Sequence, residues 1–103
     1  YREKAIQKKN ECLGKLARNL YEIGKYYFDS GVYQSAIKRL QSMFDLYPDQ
    51  PYYDHAIFLI GESYLREQNF KKAAEAYNYL LEHYPKSLLV KESRQRLKDL
   101  PKS

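Results

Sequence analysis

Residues 20–48 read LYEIGKYYFDSGVYQSAIKRLQSMFDLYP, and residues 57–85 read IFLIGESYLREQNFKKAAEAYNYLLEHYP. Gly24, Tyr27, Ala36, Leu40 and Pro48 of the first stretch return as Gly61, Tyr64, Ala73, Tyr77 and Pro85 of the second. Every member is displaced by the same 37 residues. A repeat of this length cannot bury its own apolar face and must stack on its neighbour, so it predicts paired helices in an all-α superhelix. Gly24 and Gly61 fall in the first helix of each pair, and Ala36 and Ala73 in the second. Minimal side chains at those positions let two helix backbones approach, while Tyr27 and Tyr64 fill the space beside them.

Working outward, Ile6, Leu13, Leu16, Leu20, Ile23 and Tyr27 mark one apolar stripe along a long lead-in helix over residues 3–29. Asp29-Ser30-Gly31 ends it, with Gly31 free to take the left-handed conformation. Helices are predicted over 33–46, 52–67 and 70–83, the second of these entered through Pro51. The 33–46 helix is expected to bury Ala36, Ile37, Leu40 and Phe44, and the third helix Ala56, Ile57, Ile60 and Tyr64. The fourth should bury Ala73, Ala74, Tyr77 and Leu80. Asn69 is expected to stand in for glycine at the turn before it, and Ser87 to cap a last helix carrying Leu89, Val90, Ser93 and Leu97. The resulting division is a single repeat domain: repeat one 17–50, repeat two 54–87, and a capping helix 87–100. Beginning at Tyr1, the chain is expected to be a fragment of a longer protein. Tyr52, Tyr53 and Tyr79 are expected at an exposed rim.

The formal net charge of +5 is unevenly placed. Residues 1–18 carry six Lys or Arg against two acids, residues 19–85 six against nine, and residues 86–103 six against two. Basic ends around a slightly acidic body do not form the continuous positive face of a nucleic-acid domain, so no nucleic-acid partner is expected. Cys12 is the one cysteine, so it has no internal disulfide partner. His55 and His83 have no Cys, Asp or Glu at ligand spacing, and no metal or other cofactor is expected. With four isolated glycines and no marked nucleophile, the chain reads as a non-enzyme.

The pattern Leu20-x-x-Ile23-Gly24-x-x-Tyr27, followed by Ala36, Leu40 and Pro48, resembles the tetratricopeptide repeat. It departs from it in period and in Leu20, Ile57, Leu40 and Tyr77, where the consensus prefers Trp or Phe. The longer proline-containing link resembles the bacterial envelope branch. More narrowly, Leu20-Tyr21-Glu22-Ile23-Gly24-x-Tyr26-Tyr27-Phe28, Gly31-x-Tyr33, Ala36-Ile37-Lys38-Arg39 and Tyr47-Pro48-Asp49 are similar to the C-terminal half of the BamD family. These are lipoproteins of the outer-membrane β-barrel assembly machine, also called competence lipoproteins.

That resemblance implies a protein-binding scaffold on the periplasmic side of a Gram-negative outer membrane, attached through a lipid anchor outside these residues. It implies docking to the POTRA region of BamA and to other subunits of the machine, with unfolded outer-membrane protein segments as further partners. Arg39 matches the family's Ala-Ile-x-Arg arginine and is the residue expected to face POTRA. The Tol-Pal-associated periplasmic repeat protein is the competing resemblance, through Tyr84-Pro85 and Arg96-Leu97, and a generic peptide-binding repeat adaptor stands behind it. In such superhelices the first helix of each pair lines the concave face. Arg18, Tyr21, Lys25 and Phe28, with His55, Phe58, Glu62 and Leu65, are therefore the expected peptide-binding stripe.

Overall fold

The computed structural model describes residues 2–47 and 53–101, and for residues 2–14 the backbone alone. It is all-α: α1 (Arg2–Asp29), α2 (Tyr33–Leu46), α3 (Tyr53–Arg66), α4 (Phe70–His83) and α5 (Val90–Asp99). α1 packs on α2 and α3 on α4, each pair an antiparallel hairpin; the hairpins stack through α2 and α3, and α5 closes the stack against α4. The chain is an all-α stack of helix pairs of the tetratricopeptide-repeat kind. Pro48, Pro51 and Tyr52, and the side chains of Ile6, Cys12 and Leu13, lie outside what is described.

The repeated glycines have a specific task. A Cβ on Gly24 would lie 2.8 Å from Leu40 Cγ and 3.4 Å from the Ala36 carbonyl oxygen. A Cβ on Gly61 would lie 2.8 Å from Tyr77 Cε1. Leu40 and Tyr77 are themselves repeat-mates, and both are fully buried. Each hairpin is thus closed by a large side chain of its second helix seated in a glycine notch of its first. Ala36 and Ala73, also fully buried, keep the second helix close enough for this.

Both hairpin turns repeat as well. Val32 N–H donates to the Tyr27 carbonyl at 2.8 Å, and Asn69 N–H to the Tyr64 carbonyl at 2.9 Å. This six-to-one closure needs a left-handed residue just before the donor. In the first turn that residue is Gly31, at φ +82°; in the second it is Gln68, at φ +63°. The expected glycine substitute was therefore one position off. Asn69 instead caps α4, its side chain accepting from Lys72 N–H. A Cβ in the left-handed region costs about 1–2 kcal/mol. Gln68→Gly should therefore raise stability by about 0.5–1 kcal/mol after its greater unfolded-state freedom is subtracted, a rise of a few degrees in Tm. A thermal melt checks this.

Three further expectations are corrected. α5 begins at Val90 rather than at Ser87, after a turn in which Ser87 Oγ accepts from Leu89 N–H at 3.1 Å and donates to Asp54. Ser87 ties that turn to the start of α3 rather than capping a helix. Tyr53 is not rim: it is 3% exposed, and its hydroxyl donates to the Met43 carbonyl at 3.0 Å. Its ring stands edge-on to Phe44, 4.4 Å between centroids. Phe44, Tyr64 and Ala74 are half-buried rather than enclosed. Tyr79 is exposed, as expected.

Candidate docking surfaces

The α1 stripe is rotated from the one the spacing predicts. Ala17 and Gly24, seven residues apart, are buried, with Leu20, Tyr21, Tyr27 and Phe28 half-buried around them. Leu16 and Ile23, expected inside, are 42% and 41% exposed, and neighbouring Tyr26 is 67% exposed. Their repeat-mates Tyr53, Ile60 and Ser63 are all buried. The physical reason is the stacking order. In repeat two this side of the first helix lies against α2; in repeat one no described helix occupies the corresponding place.

The two repeats carry matching depressions on this side. One, of about 360 Å³, has Ile60, Tyr64 and Ala76 on its walls and is closed by Phe44 and Gln41 of α2. The other, of about 590 Å³, has Ile23, Tyr27 and Arg39 at the equivalent positions, with Asn19, Glu22 and Tyr26 beside them. Among the described residues it is the same cleft without its far wall. Arg39 replaces the Ala76 of repeat two, so a guanidinium stands where the internal contact has a methyl. Arg39 is exposed and forms no ion pair among the described residues.

On the other side, most of the expected peptide-binding stripe is engaged within the molecule. Phe28 stands edge-on to Tyr33 at 5.4 Å, and Arg66 covers its ring at 5.8 Å. Phe58 packs on Tyr77 at 5.7 Å. Tyr21 is half-buried against the core, and burial, then the charge of Asp54, raises its phenol above the usual tyrosine range. Leu65 is half-buried. Arg18 pairs with Glu22 at 3.4 Å across one helical turn, both highly exposed, a contact of small value in water. Lys25 and His55 remain exposed. The face keeps its polar members and has spent its aromatic ones on packing.

Glu62 is the clearest change of role. Its side chain is almost enclosed and accepts from the Tyr77 hydroxyl at 2.6 Å and from Arg96 Nε at 2.8 Å. It staples α3 to α4 and α5. Burial first, and then the bond to Glu62, push the Tyr77 phenol far above its ordinary range. The bond to Glu62 likewise raises the Arg96 guanidinium. In the unfolded chain a tyrosine ionises near pH 10. Tyr77 stays neutral well past that, so its contribution is whole below about pH 10 and is lost above it, at about 1.4 kcal/mol per pH unit. Tyr21 acts with the same sign. Urea melts between about pH 8 and pH 11 should fall accordingly, and Tyr77→Phe should flatten the decline by about one proton.

Among the described residues there is no group of three His, Cys, Asp or Glu that could hold a metal ion. No described helix is long and apolar enough to cross a membrane. Residues 1–76 match the family model of YfiO, the outer membrane lipoproteins. The chain belongs to that family. No curated protein matches it. YfiO is the BamD family, so the narrower of the resemblances in the sequence is the one upheld, and α1 to the middle of α4 carry it. α5 lies beyond the matched residues.

What sequence reasoning missed on this surface was Leu16, Asn19, Ile23 and Tyr26. A signal existed in the repeat itself: Asn19 falls at the position of Ala56 and Tyr26 at that of Ser63, so at both a small buried side chain is replaced by a larger polar one.

Proposed function

We propose that this chain is a non-catalytic docking segment of an outer-membrane β-barrel assembly lipoprotein, working on the periplasmic face of the outer membrane. Its partner is the POTRA region of BamA, and the contact is the α1–α2 face around Arg39. The observation that supports this is the α1–α2 face itself: among the described residues Ile23 and Tyr26 are exposed beside an Arg39 that forms no ion pair. Exposed aromatic and aliphatic side chains around a free guanidinium are the composition of an interface centre. Membership of the outer membrane lipoprotein family supports this cellular setting.

The three-part division into repeats 17–50 and 54–87 with a capping helix belongs to the same reading. So does the assignment of Arg18, Lys25 and His55 to a secondary polar contact on the concave side. The aromatic residues Phe28 and Phe58 and the acid Glu62 are withdrawn from that contact by their internal partners.

Isothermal titration of the chain with a soluble BamA POTRA fragment tests the proposal. Binding that is lost in Tyr26→Ala supports it. Absence of binding, or binding untouched by Tyr26→Ala and instead lost in Lys25→Glu, overturns it.

A further inference from the structure

α5 turns a purely polar side to solvent. Lys91, Arg94 and Lys98, spaced three and four residues apart, share one stripe about 10 Å long and are all exposed. None of them forms an ion pair among the described residues, whereas Arg96, on another side of the helix, is taken by Glu62. Glu92 and Asp99 lie on the flank toward Arg96, and Asp99 accepts from Gln95 at 3.1 Å. The adjoining side of α5, which meets the rest of the stack, is set by buried Ser93 and half-buried Val90, Leu97 and Leu100. One position stands out at the helix entrance. Leu88, in the turn before α5 and one helical spacing ahead of Lys91, is 93% exposed, next to exposed Lys86.

We propose that the outer face of α5, with Leu88 at its leading end, rests on the headgroups of an anionic phospholipid bilayer. Three cations on one stripe, with Lys86 in the turn before it, attract a phosphate-bearing surface. A lone leucine among lysines gains nothing from a polyanion in water, but it gains by entering the boundary between headgroups and acyl chains, with the lysine stems lying alongside. That combination selects a membrane over a nucleic acid or an acidic protein. The contact is weak by itself. It suits a protein already held at the bilayer, as the lipoprotein reading on which this rests has it, and it would orient the stack on the surface. It is carried by a helix outside the family-matched residues and shares no side chain with the Arg39 face.

The test is co-sedimentation of the chain, produced without lipid modification, with vesicles. One set is phosphatidylcholine alone and the other contains about one third phosphatidylglycerol. Binding to the anionic set alone is expected, falling about fivefold for each cation neutralised and steeply with salt. The triple variant Lys91→Gln, Arg94→Gln, Lys98→Gln should lose nearly all of it with an unchanged helical circular dichroism spectrum. Leu88→Ser should weaken vesicle binding a few-fold and leave binding to soluble polyglutamate unchanged. Equal binding to both vesicle sets, retention by the triple variant, or polyglutamate binding as tight as vesicle binding with Leu88→Ser without effect on either would overturn the proposal. Arg39→Glu should not alter vesicle binding, so this result and the POTRA titration stand or fall separately.

Discussion

Tyr77→Ala should cost about 3–5 kcal/mol, enough to leave a domain of this size near the edge of folding. Three losses coincide at that side chain. The ring fills the Gly61 notch, where a Cβ would lie only 2.8 Å from Tyr77 Cε1, so its removal opens a cavity at the centre of the second hairpin. The contact with Phe58 goes with it. Glu62, almost enclosed, loses one of its two donors and keeps only Arg96, which is partly exposed. Tyr77→Leu separates these effects. Repeat one already seats Leu40 in the equivalent notch, so the leucine variant should keep the fold and lose about 1–2 kcal/mol, mainly the phenol and part of the ring volume. Thermal melts followed at the helical circular dichroism band distinguish the two. Equal Tm values for the alanine and leucine variants would mean that notch filling is not what closes the hairpin.

The notch also explains why so much of the fold was legible. A 37-residue offset preserved through glycine, alanine and proline together reports backbone approach, turn geometry and exit direction at once, because each of those residues has few other uses. The α2 and α4 boundaries followed from the same signals. What the repeat could not report was where it stops applying. Apolar spacing in α1 identified Leu16 and Ile23 as inward because it presumes a neighbour on every apolar side, and the stack supplies one for α3 but none for α1 among the described helices. Gln68 was missed for a different reason. The left-handed position is fixed by register from Gly31, and attention to residue type alone favoured Asn69, the better-known tolerant residue. Glu62 looked like a groove residue because a carboxylate on a concave helix face resembles a ligand-binding group until Arg96, 34 residues away, is known to reach it. Long-range pairing of side chains leaves no trace in periodicity.

Arg39→Glu carries the largest functional effect expected of a surface change in this chain. Arg39 is exposed and unpaired among the described residues, so nothing internal depends on it and Tm should move by no more than the equivalent of about 0.5 kcal/mol. Its place in the cleft beside exposed Ile23 and Tyr26 is where a guanidinium pairs strongly with a partner carboxylate once an interface closes over it. Losing one member of such a desolvated pair costs about 2–5 kcal/mol, and reversal adds repulsion, so affinity for a POTRA fragment should fall by at least about thirtyfold. The loss should appear chiefly as faster dissociation, and Arg39→Lys should recover only part of it because a lysine cannot pair in two-pronged fashion. Unchanged affinity would remove Arg39 from the surface. A matching fall in Tm would instead make it a structural residue, and the cleft would then need a different anchor, with Tyr26 the next to test.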